Sequence, residues 1–253
     1  SLMGLSTNII SIAIMMKLGL APLHFWMPEV IQGISLPTGM ILSTWQKIAP
    51  MALLIQMSHL VNLNLTIALG LTSILVGGWG GMGQTQLRKI MAFSSIGHLG
   101  WIIIILKFDP QLSLFNFIIY LLMTTAIFLS LISISAVKML DISTSWAKTP
   151  ALTSTIMLIM LSLAGLPPLT GFAPKLLIIM ELIKQDTTTL ASTIMVISLL
   201  SLFFYLRLTY LITLTLPPNT PNSLIVWRTT HSSFSTTAIM NMLAIVLLPM
   251  TPN

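Results

Sequence analysis

The chain has 253 residues, of which 55% are hydrophobic and 6% charged, with a formal net charge of +6 and a mean hydropathy of +0.98. Soluble surfaces are typically about a quarter or more charged, so this composition excludes an ordinary soluble protein and points to an integral membrane protein. The eleven basic residues are scattered without a basic run, which excludes a nucleic-acid surface, and the lack of cysteine excludes disulfides, thiolate metal sites and iron–sulfur clusters.

At about 20 residues per span the length allows roughly eight to ten membrane helices. The chain starts at Ser1 with neither an initiator methionine nor a leader pattern, and the expectation is a fragment lacking upstream spans. The first apolar run, Leu2 to Leu20, contains Lys17 and meets Ala21-Pro22; a shorter piece to Gln32 carries His24, Trp26, Pro28 and Glu29. Pro22 removes an amide donor and crowds the preceding turn, so residues 2–32 read as a broken span. A second helix is predicted over Thr38 to Ser58, opened by Pro37, with Lys47 near its middle and Pro50 loosening it beside that lysine.

The third span, Leu63 to Met82, ends in GGWGGMGQ, and the fourth, Gln86 to Leu106, begins beside Arg88-Lys89, which predicts a tight helical hairpin. The fifth runs from Leu112 to Val137, followed by a polar loop to Lys148 that holds Lys138, Asp141 and Trp146. Residues 150–184 form the second informative segment: an apolar run to Ala164, then GLPPLTGFAPK, then an apolar run to Ile183. Gly165, Pro167, Pro168, Gly171 and Pro174 cannot sit in one regular helix, and such a break between apolar halves is the sequence signature of a transport site. Lys175 follows it at once. A seventh span, Leu190 to Leu214, contains Arg207, and an eighth runs from Phe234 to Leu248.

The reading is therefore all-α: one polytopic membrane domain over 1–253 with about eight spans and two broken ones. If the spans alternate, one side holds Arg88, Lys89, Lys138, Lys148 and Arg228 and the other Lys107 and Lys184, which places the first set on the inner side. A lone cation at the bilayer centre costs roughly 3 kcal/mol on insertion scales, so Lys17, Lys47 and Lys175 need a partner, a hydrated cavity or a task. Lys17 lies 12 residues before Glu29 and Lys175 nine before Lys184. At 1.5 Å per residue these are about 14 to 18 Å from a polar end, near half the core, and Lys47 has a similar depth. Three lysines on three spans at one level read as a proton path. Lysine can exchange a proton in such surroundings, whereas arginine stays charged.

The motifs KLGLAPLHFWMPEV, TWQKIAP, QTQLRKIMAFSSIGHLGW and GLPPLTGFAPK stand in this order. With them the whole chain resembles the subunit 2 family of NADH:ubiquinone oxidoreductase, respiratory complex I, in its mitochondrially encoded animal form. The resemblance implies an antiporter-like fold of two inverted helix bundles, in the mitochondrial inner membrane, with other membrane-arm subunits, lipid and internal water as partners. It implies a part in proton translocation coupled to NADH oxidation with ubiquinone as acceptor. It also implies that Lys17 is a switch paired with a glutamate on an upstream span, Lys47 a central relay, Lys175 an outlet-side relay and His24 a member of the proton network. Such a chain holds no cofactor; NADH, FMN, iron–sulfur clusters and ubiquinone belong to other subunits.

Bland readings stand beside these. Each lysine could snorkel or fix packing through a carbonyl, although a lysine stem spans only about 6 Å. Arg207 reads as an interface anchor, His98 equally as a proton carrier or a packing histidine, and Glu29 and Glu181 as proton entrances or water-boundary markers. Gly78, Gly80 and Gly83 spell a dinucleotide-type GxGxxG, but after a helix-length run, so close helix packing explains them better. A free-standing cation/proton antiporter and a pure scaffold are the competing functions.

Overall fold

The computed structural model describes residues 2–147, 149–214 and 235–246; Lys148, Arg228 and the ends of the eighth predicted span lie outside them. Twelve α-helices follow in order: α1 (Leu2–Leu18), α2 (Trp26–Gly33), α3 (Leu36–Ser43), α4 (Trp45–Gln56), α5 (Leu63–Met82), α6 (Leu87–Ile105), α7 (Pro110–Ile134), α8 (Met139–Thr144), α9 (Pro150–Ala164), α10 (Phe172–Lys184), α11 (Thr188–Leu214) and α12 (Ser235–Val246). Of these, α5, α6, α7 and α11 are long and apolar enough to cross a membrane singly.

Helix α6 is the central post, with fourteen of its nineteen residues buried. Glycine lets α5 lie directly against it: a Cβ at Gly77 would meet the Gly97 backbone at 2.6 Å, and one at Gly80 would meet the Phe93 ring at 2.4 Å. Of the other two glycines in the GxGxxG pattern, Gly78 instead faces Leu200 of α11 and Gly83 faces open space. Beyond the hairpin, Leu87 N donates to Val137 O (3.2 Å) and Met139 N to Thr85 O (3.4 Å), so the α5–α6 turn is bonded to the segment after α7.

Three departures from the sequence reading have local causes. The helix predicted over 38–58 is two helices, interrupted at Thr44 (φ −117°, ψ −71°). Pro50 offers no amide to the Gln46 carbonyl, and six residues before it the Thr44 hydroxyl joins its own amide on the Met40 carbonyl, at 2.6 Å. Lys47 is thus in the first turn of α4 rather than at mid-helix. Helix α7 starts at Pro110 because Asp109 caps it, accepting from Gln111 N (2.9 Å) and Leu112 N (3.2 Å), and it ends at the left-handed Ser135. The polar loop after it contains α8, where the Asp141 carboxylate accepts from Lys138 N (2.7 Å) and Val137 N (2.8 Å). Those two amides hold its carboxyl below the usual range. Trp146 Nε1 then donates to Ile212 O of α11 (3.0 Å).

Candidate functional site

Each interruption presents backbone groups that a continuous helix would consume, and the candidate side chains gather at them. In a regular helix the Lys47 amide would bond Ser43 O; here it bonds Thr44 O at 3.2 Å. The Ser43 carbonyl instead accepts from the Tyr120 hydroxyl of α7 (3.0 Å), and that hydroxyl accepts from Lys47 Nζ (3.0 Å). Lys47 is 3% exposed and Tyr120 1%, so the ammonium and its single neutral partner are sealed inside the bundle.

The second interruption, Gly165 to Gly171, is closed by side chains of its own. Gly165 takes φ +83° to end α9, a conformation natural to glycine. The Ser162 hydroxyl meets Thr170 Oγ1 (2.9 Å) and accepts from Gly171 N (3.2 Å), and Thr170 donates to Ala244 O of α12. Lys175, in the first turns of α10, reaches back to the end of α9. Its Nζ donates to Ala164 O (2.8 Å) and to Leu163 O (3.4 Å), carbonyls at the negative end of the helix dipole.

His98 of α6 lies between the two lysines. Its ring centroid is 5.9 Å from that of Tyr120. It also lines two cavities that Lys175 lines as well. One, with Asn116, Tyr120 and Pro174, is ≈ 10 Å³; the other, with Ser94, Trp101 and Tyr205, is also ≈ 10 Å³. Each has about the room one water requires, in a mostly apolar wall that carries a few polar groups, His98 and Lys175 among them.

Lys17 and His24 are placed apart from this cluster. Lys17 is exposed on α1, a helix packed against α4, and no hydrogen bond or ion pair engages it among the described residues. Lys47 and Lys175 thus share a cluster, and Lys17 lies outside it on the exposed side of α1. His24 is 6% exposed in the turn between α1 and α2, with Nδ1 buried and unbonded. That turn is fixed to α5 by Ala21 N donating to Ser73 Oγ (3.1 Å).

Arg207 donates to Met82 O at the end of α5, the anchor that its position near a span end suggested. Arg88 likewise holds the end of α2 through Gln32 O (3.2 Å) and Ile34 O (2.5 Å). Glu29 is exposed, and Glu181 pairs with Lys184 at 3.5 Å. The residue missed in the sequence is Tyr120. Its signal was the polar stripe Asn116, Tyr120, Thr124 at four-residue spacing in an otherwise apolar helix.

Residues 1–201 match the family model described as NADH:quinone oxidoreductase/Mrp antiporter, TM, and residues 202–253 match NADH dehydrogenase subunit 2 C-terminus. NADH-ubiquinone oxidoreductase chain 2 of Aquarana catesbeiana is 77% identical over 252 residues, covering 100% of this chain and 73% of the relative. The chain belongs to the NADH dehydrogenase subunit 2 family. Within solved structures, this subunit 2 chain is similar to a chain of respiratory complex I from Thermus thermophilus, with TM-score 0.79 and 26% identity over 97% of the present chain and 58% of that one. The fold is also that of a chain in the Mrp complex from Dietzia sp. DQ12-45-1b, with TM-score 0.73 and 19% identity over 86% of this chain and 43% of the other. The antiporter-like helix architecture of subunit 2 is thus shared well beyond its close relatives.

Proposed function

We propose that this chain acts as a membrane-arm subunit of respiratory complex I in the mitochondrial inner membrane, moving protons through its buried lysines while other subunits carry NADH, FMN, iron–sulfur clusters and ubiquinone. The observation that carries this reading is the cluster itself: Lys47 bonded to Tyr120, Tyr120 beside His98, and His98 sharing two water-sized cavities with Lys175. A proton can pass along such a row through hydroxyl, imidazole and water.

Charge repulsion supplies the coupling. Two unit charges about 8 Å apart in a site of effective dielectric near 20 interact by roughly 2 kcal/mol, enough to bias a transfer. Lys17 acts as the switch on the input side, on the helix packed against α4, and its carboxylate partner comes from a neighbouring element of the assembled protein. His24, buried in the turn between α1 and α2, joins the same network. All five carboxylates of the chain (Glu29, Asp109, Asp141, Glu181 and Asp186) lie outside the cluster, so its protons are handled by cationic and neutral groups.

Substitution tests this reading. Lys47→Ala and Lys175→Ala should each reduce proton pumping and coupled NADH oxidation several-fold in vesicles containing fully assembled complex. A complex that assembles poorly, yet pumps at full proton stoichiometry per NADH in the fraction that forms, would show the lysines to be scaffold alone.

A further inference from the structure

Lys175 is part of the wall between the internal cluster and the outside of the bundle. Toward the interior it lines both small cavities with His98. Toward the exterior it lines a lateral groove of ≈ 330 Å³ between α10 and α11, with Gly165, Phe172, Met180, Met195 and Leu202. Met180 and Met195 are 53% and 50% exposed at the groove's mouth. The ammonium end is close to this groove, since a Cβ on Gly165 would meet Lys175 Nζ at 2.8 Å.

The groove is apolar apart from Ser198 and the lysine, which is the only charged residue lining it. None of the five carboxylates of the chain reaches it. An ammonium has three donors, and Lys175 spends its own on two neutral carbonyls, one at 2.8 Å and one at the long distance of 3.4 Å. A cation away from water gains most from an anionic oxygen, because charge-assisted bonds are roughly twice as strong as neutral ones.

We propose that this groove binds a long-chain fatty acid, with the acyl chain between α10 and α11 and the carboxyl group at Lys175. The depth of the lysine favours a free acid over a phospholipid. Nine residues of helix, about 14 Å, separate Lys175 from Lys184 at the polar end, farther than a phosphate headgroup leaves the interface. A fatty acid enters oil as the neutral acid. At a Lys175 in its amine form, the carboxyl O–H bond breaks and an N–H bond forms, leaving carboxylate and ammonium paired with no other reactant. Binding in this groove would hold Lys175 charged.

The test uses the intact complex in lipid nanodiscs with a palmitate bearing a mid-chain diazirine, and maps the adducts by mass spectrometry. Adducts are expected on α10 and α11, lost in excess palmitate and retained in excess methyl palmitate, which has the chain without the acid. Met195→Trp, which fills the mouth of the groove without touching the lysine cluster, should lose the adducts while NADH oxidation stays unchanged. Two results overturn the proposal: no adduct on α10 or α11, as when a neighbouring subunit covers the groove, or equal competition by the methyl ester. Either result leaves the proton-relay reading standing, because that reading is measured by charge movement and not by labelling.

Discussion

Lys47 and Lys175 each stand just after a helix interruption, yet the two sites use the freed backbone in opposite ways. At Lys175 the ammonium itself takes the carbonyls that end α9. At Lys47 the corresponding carbonyl, Ser43 O, is taken by Tyr120, and the ammonium is bonded to that hydroxyl. The first is a helix C-terminus holding a cation, the same solution found for Arg88 at α2 and Arg207 at α5. The second inserts a group that can both accept and donate a proton. In a chain with five carboxylates, none of them in the cluster, backbone carbonyls are the default anchor for cations. On the proposed relay, the exception at Lys47 is where a proton would have an onward route.

The strongest way to break the comparison is to destroy one interruption without touching its lysine. A Cβ at Gly171 would lie 1.8 Å from Ser162 O, a backbone collision that no rotamer relieves. Gly171→Ala should therefore destabilise the subunit by more than about 3 kcal/mol, and the complex should fail to assemble on native gels. The Lys47 side offers no such position, since its interruption falls at Thr44 and not at a glycine. Assembly at wild-type levels would show the Gly165–Gly171 segment to be loosely held.

Tyr120→Phe sharpens the contrast from the other side. It keeps the ring beside His98 and removes the hydroxyl, leaving Ser43 O and Lys47 Nζ without their shared partner. Unsatisfied buried groups cost about 1–3 kcal/mol, so a modest drop in thermal stability is expected. Protons pumped per NADH should fall further than that loss explains. No side-chain substitution makes the corresponding change at Lys175, because its acceptors are main chain. Unaltered stoichiometry in assembled Tyr120→Phe complex would remove the hydroxyl from the route.

The legibility of these two sites in the sequence differed for the same physical reason. Gly165, Pro167, Pro168 and Gly171 announce the α9–α10 interruption, because those residue types act through their own backbone. The hairpin helices α5 and α6 were similarly plain, with apolar runs bounded by glycine and basic residues. The interruption at Thr44 was legible only as a loosening beside Lys47, since Pro50 stands six residues away and the residue at the break is a threonine. A tyrosine in a membrane helix ordinarily marks an interface, and only its stripe with Asn116 and Thr124 sets Tyr120 apart. Lys17 carries the same signal as the other two lysines, but a helix that turns it outward cannot be read from depth alone.

The smallest effect concerns the polar edge, where the chemistry of the interior is reversed: at α8 a carboxylate holds amides, whereas inside, carbonyls hold ammoniums. Asp141 is bonded to Val137 N and Lys138 N, which keeps its carboxyl below the ordinary value of about 3.9. A depressed value in the folded state means that the anion stabilises the fold. That contribution is fully present above the unfolded carboxyl's value and is lost as pH falls through the lower, folded one. The site is close to solvent, so the effect should be well under about 1 kcal/mol. Hydrogen exchange of the 137–141 amides should accordingly be slower in the wild type than in Asp141→Asn at neutral pH, and the difference should shrink as the pH falls through the lowered carboxyl value. The cluster around Lys47 and Lys175 contains no carboxylate to protonate, so amides flanking Thr44 should show no such acid-dependent difference between the two proteins. A parallel acid response at Thr44 would mean that the polar edge and the buried row are mechanically joined, and the division between them would have to be redrawn.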